Sequence, residues 1–266
     1  MTAPRPDWWL RLQERAAQPP ARPRQPLRIE GMQAPIGSIE ATLAEHLRAA
    51  GLAECSGDDD DDGAMLLTGP ADAALAAVAR WLVAQGLGGR WRGELLPVTD
   101  PAGTRIAVIE RAAVRPLGIA TFAVHLIGLS GIGGVWVQQR ALDKATDPGQ
   151  WDTLVGGLVA AGESSASALE RETWEEAGLR IGDLSHLQAV DRITIRRPVS
   201  EGYMVEHIEV FEAVLPDGIE PVNQDGEVER FECLPPAALV ERLAEGSFTL
   251  EAALMLAASL RRRGLV

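Results

Sequence analysis

The chain has 266 residues, with 25 Lys and Arg against 38 Asp and Glu and a formal net charge of −13. At roughly 100–200 residues per domain that is one large domain or two modest ones, and the acidic balance argues against a partner held mainly by nucleic-acid phosphates or anionic lipid. Two cysteines, Cys55 and Cys233, without CxxC spacing, argue against a disulfide framework or structural zinc and for a cytoplasmic location.

In chain order, Trp8, Trp9, Leu12 and Ala16 share one side of a short helix, which Pro19, Pro20, Pro23 and Pro26 stop. No unbroken apolar run of the signal-peptide kind stands among these residues. A strand at Leu27 and Ile29 follows, then a helix expected from Ile39 with Ser38 as its cap. The Asp58–Asp62 run is expected as a solvated loop, because it lacks the glycine and spaced glutamate of a calcium loop. Ala71–Gln85 reads as a helix, and Arg90–Val98 and Arg105–Glu110 as strands, giving a small α+β unit over residues 1–112. Beyond Pro116 the texture changes. Strands are expected at Thr121–Leu129, Gly134–Arg140, Leu187–Ile195 and His207–Leu215, and helices at Ser165–Ala177, Pro235–Glu245 and Leu250–Arg262. The longest apolar stretch, Ile119–Leu129, is interrupted by His125 and too short to span a bilayer. Residues 113–266 are thus expected to form a second, α/β domain.

One segment, from Gly157 to Leu179, carries chemistry. Ser164 or Ser165 can cap its helix, Ala166, Leu169, Thr173 and Ala177 are expected to face the core, and Gly178 fits the left-handed C-terminal position. Glu172, Glu175 and Glu176 fall on an adjacent side, where like charges at these spacings cost a few tenths of a kcal/mol per pair. A hard divalent cation such as Mg²⁺, which takes oxygen ligands and pairs with substrate phosphates, would offset that cost. Arg171 can orient one of the acids and Glu163 can brace Arg171.

The segment resembles the Nudix box: Gly157, Glu163, Arg171, Glu172, Glu175, Glu176, Gly178 and Leu179 all fall on its pattern, with Thr173 where the family prefers an aliphatic residue. Seven fixed residues at ~7% usage each coincide about once in 10⁸ start positions. The resemblance implies a Nudix α/β/α sandwich with a mixed sheet and hydrolysis of a diphosphate linked to another moiety. It also implies Mg²⁺ or Mn²⁺ on Glu172, Glu175, Glu176 and the Gly157 carbonyl. Glu175 or Glu172 could serve as general base, as could an acid of the later Asp225–Glu229 segment, Glu227 or Glu229, with Arg171 as the orienting residue.

The flanking Trp136–Lys144, Pro148–Asp152 and Asp225–Phe231 segments are similar to a narrower branch, related to the Nudix domains associated with thiamine pyrophosphokinase and carrying an N-terminal domain. That branch implies thiamine diphosphate, or its oxo and oxy forms, as substrate. Arg140 and Lys144 would contact the diphosphate, and Arg192, with Arg196 on the same strand face and Arg197 in a following loop, could line the pocket. Trp136, Trp151 and Trp174 could stack on a ring, whereas His125 and His207 read as structural. Two other reactions stay in view, hydrolysis of ADP-ribose or a dinucleotide and allylic diphosphate isomerisation, the last requiring a cysteine near the site. A non-catalytic diphosphate sensor is the reading from another class. The expected partners are a small-molecule diphosphate and a second copy in a homodimer, with no nucleic-acid polymer and no membrane.

Overall fold

The computed structural model describes residues 6–56 and 63–266, so the Asp58–Asp62 run lies outside the described residues. The first half contains α1 (Asp7–Ala16), β1 (Arg24–Ile29), β2 (Gly37–Glu40), α2 (Ala41–Ala49), β3 (Glu54–Cys55), β4 (Met65–Leu67), α3 (Ala71–Ala84), β5 (Leu95–Thr99) and β6 (Arg105–Glu110). Four of these strands form a sheet in the order β2-β1-β4-β3, and β5 and β6 pair as an antiparallel hairpin. Ser38 caps no helix: Ile39 pairs with Gln25 of β1 and is fully buried, so strand pairing claims Ser38 and α2 begins at Ala41. Arg24 fixes that sheet to the connection between the halves, donating to Ser38 Oγ at 2.9 Å and to the Pro116 carbonyl at 2.6 Å.

The second half contains β7 (Ala120–Ser130), β8 (Val135–Arg140), β9 (Trp151–Asp152), β10 (Val155–Leu158), α4 (Ser165–Ala177), β11 (Ser185–Val199), β12 (Gly202–Leu215), β13 (Val228–Leu234), α5 (Pro236–Glu245) and α6 (Leu250–Arg262). Its mixed sheet runs β11-β12-β7-β8-β13, with β10 added to β7 and β9 to β8, and β7 and β12 are parallel. Strand β13 escapes the hydrophobic pattern because it pairs only with β8 and carries Glu229, Arg230 and Glu232 along its length, as edge strands do.

The period-two alternation of β7 sorts the layers. Val124 and Leu126 pack with Ala168, Leu169 and Ala177 of α4, while Ala123 and Ile127 pack with Leu239 and Leu243 of α5 and Leu256 of α6. The result is an α/β/α sandwich. Helix α1 joins its second layer: Leu12 and Ala16 share a core with α5 and α6, and Ala17 bridges to Arg196 at the edge of β11. A further core, from Leu27 to Ile119, lies between the first half and the start of the second. Among the described residues no helix is long and apolar enough to cross a membrane.

Helix α4 starts at a capping box in which Ser164 accepts from the Ser167 N–H, and ends at Gly178 with φ 64°. Its buried side is Ala168, Leu169, Thr173, Glu176 and Ala177, with Ala168 in the place expected for Ala166, which is exposed. Thr173 is fully buried and its hydroxyl finds no partner. A buried unsatisfied hydroxyl costs about 1–3 kcal/mol. Thr173→Val is therefore expected to stabilise the chain by about 1 kcal/mol, raising the thermal midpoint by about 2–4 °C in a calorimetric scan.

Candidate active site

Arg171 organises the acidic face of α4. Its Nε and Nη2 donate to the two carboxylate oxygens of Glu163 at 2.7 and 2.9 Å, a bidentate pair. Nη1 donates to Glu172 at 2.7 Å and to Glu175 at 3.0 Å, and Nη2 also reaches the Leu158 carbonyl at 3.1 Å. The bond from Arg171 holds the Glu163 carboxyl below the usual range, and the surrounding acids push the guanidinium above its own.

Glu176 departs from the expectation that the three box acids share one solvent-facing side. It is 1% exposed, and its Oε2 accepts from the Gly156 N–H and from Gln138 Nε2, each at 2.9 Å. Burial pushes its carboxyl up to about 8, and burial also raises Glu172. In the later loop burial raises Asp225, whereas the contact with the Lys144 ammonium outweighs burial at Glu227 and lowers it.

Among the described residues no three His, Cys, Asp or Glu side chains already stand together as a cation site, since Arg171 holds Glu172 and Glu175. The donor chemistry nevertheless fits a hard divalent ion. Glu172, Glu175, Glu176 and the backbone at Gly157 supply only oxygens, and burial raises two of these carboxyls in spite of Arg171 beside Glu172 and Lys144 near Glu176.

Two adjacent glycines shape this region by leaving room. They lie on β10 opposite Val124 and His125 of β7, so their missing side chains point to opposite faces of the sheet. A Cβ on Gly157 would stand 2.0 Å from the Glu172 carboxyl, and one on Gly156 would stand 2.3 Å from the His125 ring. Neither has a positive φ, so clearance and not backbone conformation demands glycine.

The site opens into a cavity of about 440 Å³. Gly157, Arg171, Glu172, Glu175 and Glu227 line it, as do Arg140 and Lys144. Both of these cations are already paired, Arg140 with Asp152 at 3.3 Å and Lys144 with Glu227. Glu229 and Arg192 do not line it: Glu229 is exposed on β13, and the Arg192 side chain is 82% exposed beside Glu209. Strand parity gives the reason for Arg192. It and Arg196 lie on one face of β11, and Arg197, which the strand includes ahead of Pro198, lies on the other and lines the cavity. None of Trp136, Trp151 and Trp174 lines it either, because Trp151 is buried against Arg230 and Arg242 and Trp174 turns outward to Arg180.

Several cavity residues carried no signal in the sequence. Arg90, Arg92 and Arg111 come from the first half of the chain, which reaches the box loop through a 2.8 Å bond from Ala161 N–H to the Leu95 carbonyl. The loop at 90–94, expected as strand, precedes β5 and presents Arg90 and Arg92, while Arg111 directly follows β6. His125, Glu206 and Glu251 complete the cavity on the α6 side of the sheet.

Gly157→Ala tests the clearance argument. The new methyl displaces the Glu172 carboxylate by an ångström or more, and turnover at the box is expected to fall about 100-fold in steady-state kinetics, with the thermal midpoint measured alongside to separate displacement from unfolding.

Comparison with known proteins agrees with this geometry. The NUDIX domain profile matches residues 119–254, more than half of the chain. Nudix hydrolase 20, chloroplastic, of Arabidopsis thaliana is 33% identical over 188 residues, covering 66% of this chain and 48% of that protein. Nudix hydrolase 24, chloroplastic, of the same plant is 33% identical over 208 residues, covering 73% and 54%. The chain thus spans about half the length of these two relatives. An isopentenyl-diphosphate Delta-isomerase of Leifsonia xyli is 33% identical over 146 residues, covering 54% of this chain and 76% of that protein. With its matched domain, its sandwich fold and its complete box on α4, the chain belongs to the Nudix family.

Proposed function

We propose that the chain hydrolyses a diphosphate linked to another moiety, using Mg²⁺ or Mn²⁺, and that its substrate is thiamine diphosphate or an oxidised oxo or oxy form, converted to the monophosphate in the cytoplasm. One observation carries the hydrolase reading: carboxylates able to hold a divalent ion share a single cavity with a rim of guanidiniums. The narrower substrate rests on the likeness of the segments around Trp136–Lys144, Pro148–Asp152 and Asp225–Phe231 to the thiamine-associated branch.

A divalent ion held by Glu172, Glu175, Glu176 and the Gly157 carbonyl would supply concentrated positive charge to the phosphate oxygens and make water more acidic. The chain's own residues do the rest. Arg171 keeps Glu172 and Glu175 in place. Arg90 and Arg92 on the exposed loop, with Arg140 and Lys144 opposite, meet the charge of the diphosphate. Water attacks phosphorus, the bridging P–O bond breaks and inorganic phosphate leaves. Glu175, 41% exposed and held by a single bond from Arg171, takes the proton of that water. Isomerisation, the activity in the name of the Leifsonia relative, has no cysteine to use here, because Cys55 and Cys233 both lie outside the cavity.

Purified protein with Mg²⁺ is expected to convert thiamine diphosphate to the monophosphate and phosphate faster than it cleaves ADP-ribose to AMP and ribose 5-phosphate or hydrolyses nucleoside diphosphates, each followed by chromatography of its products. A faster reaction with ADP-ribose replaces the substrate reading, and no cleavage product from any of them leaves a sensor. Glu175→Gln is expected to lower kcat by two or more orders of magnitude with KM little changed. The double change Arg90→Gln, Arg92→Gln is expected to raise KM several-fold at nearly constant kcat, a split read from the same assay.

A further inference from the structure

The cavity wall on the α6 side plays no part in diphosphate chemistry. Strand register builds it: His125 and Thr121 of β7 and Glu206 of β12 lie on one face, Glu206 opposite Thr121, and Glu251 enters from the first turn of α6. Thr153 gives its hydroxyl proton to the Val155 carbonyl at 2.9 Å, so its oxygen accepts from His125 Nδ1 at 2.8 Å. Asp152 stands 3.7 Å from the same nitrogen. The proton of this imidazole is therefore on Nδ1, and burial, which lowers the group, keeps it neutral.

Nε2 is left with a lone pair and no hydrogen-bond partner among the described residues. His125 is only 8% exposed and lines the cavity. Beside it stand two carboxyls. Glu206 takes one bond, from Thr121 at 3.0 Å, and the Glu251 carboxyl accepts from its own backbone N–H, with Arg197 at 3.6 Å, beyond hydrogen-bond length. Burial pushes Glu251 up to about 7, the behaviour of an acid short of positive charge.

We propose that His125, Glu206 and Glu251 form a recognition subsite for the organic part of the diphosphate substrate, one that selects a cationic or N–H-donating nitrogen heterocycle. The assignment rests on the diphosphate-hydrolase reading and deepens it. The subsite offers a ring-nitrogen lone pair and carboxylate oxygens, which a hydrocarbon moiety would leave unpaired. A hydrogen bond to a charged group decides discrimination of about tenfold or more.

Two measurements on the full chain test it. Free thiamine, a cationic aminated heterocycle without phosphate, is titrated calorimetrically into the wild type and into Glu206→Gln, Glu251→Gln and His125→Asn, with thermal midpoints as the folding control. Binding to the wild type, weakened about tenfold or more in folded variants, supports the subsite. No binding to the wild type, or equal binding to folded variants, overturns it. In the second measurement, Glu206→Gln is expected to raise KM for thiamine diphosphate about tenfold and leave kcat, and the kinetics with donor-free geranyl diphosphate, unchanged. Equal effects on both substrates overturn it. Thiamine binding that the variants lose, in a protein that cleaves no diphosphate, upholds the subsite and removes the hydrolase reading alone.

Discussion

Everything at this site depends on one guanidinium. Arg171 is planar, permanently charged and forked, and it uses that shape to hold Glu163 with two bonds while bonding Glu172 and Glu175 with a third nitrogen. Glu172 and Glu175, one turn apart on α4, would otherwise repel one another and splay into solvent. The bond to the Leu158 carbonyl then ties the same side chain to β10, so the helix that carries the acids is registered against the sheet that carries Gly157. A lysine could neutralise these charges but not set their directions.

The two glycines extend that constraint through the sheet. Because successive residues of a strand face opposite ways, Gly157 and Gly156 open space on both sides of β10, one for Glu172 and the other for His125. The acid-bearing region and the wall of acceptors therefore meet across a single strand. Glu176 reaches the same strand through the Gly156 N–H, which makes this short edge the meeting point of helix, metal-type donors and cavity.

The first half of the chain is structurally part of the site. Its hairpin accepts a backbone bond from the box loop, and its arginines line the cavity that the box acids share. An acidic protein is in this way able to face an anion: guanidiniums from both halves line the same cavity as the acids that would hold a cation. Helix α1, first in the chain, packs beside α5 and α6 near the end of it, so the two halves are interleaved and not strung in series.

Local chemistry was enough to find α4, its caps and its acids, because those depend on residues a few positions apart: Ser164 with Ser167, Arg171 with Glu163 and Glu175, Gly178 with the helix end. Four strands of the main sheet, β7, β8, β11 and β12, were legible from local pattern, whereas the charged edge strand β13 was not. Sequence alone left Ser38 as a helix cap, because nothing local reveals that Ile39 pairs with Gln25. It offered Arg192 for the pocket where strand register turns Arg197 inward. The sequence by itself determined the box and the helix that bears it. Which face Glu176 occupies, which arginines meet the substrate and what the far wall of the cavity presents were decided only by tertiary structure, since each depends on strands brought together from distant parts of the chain.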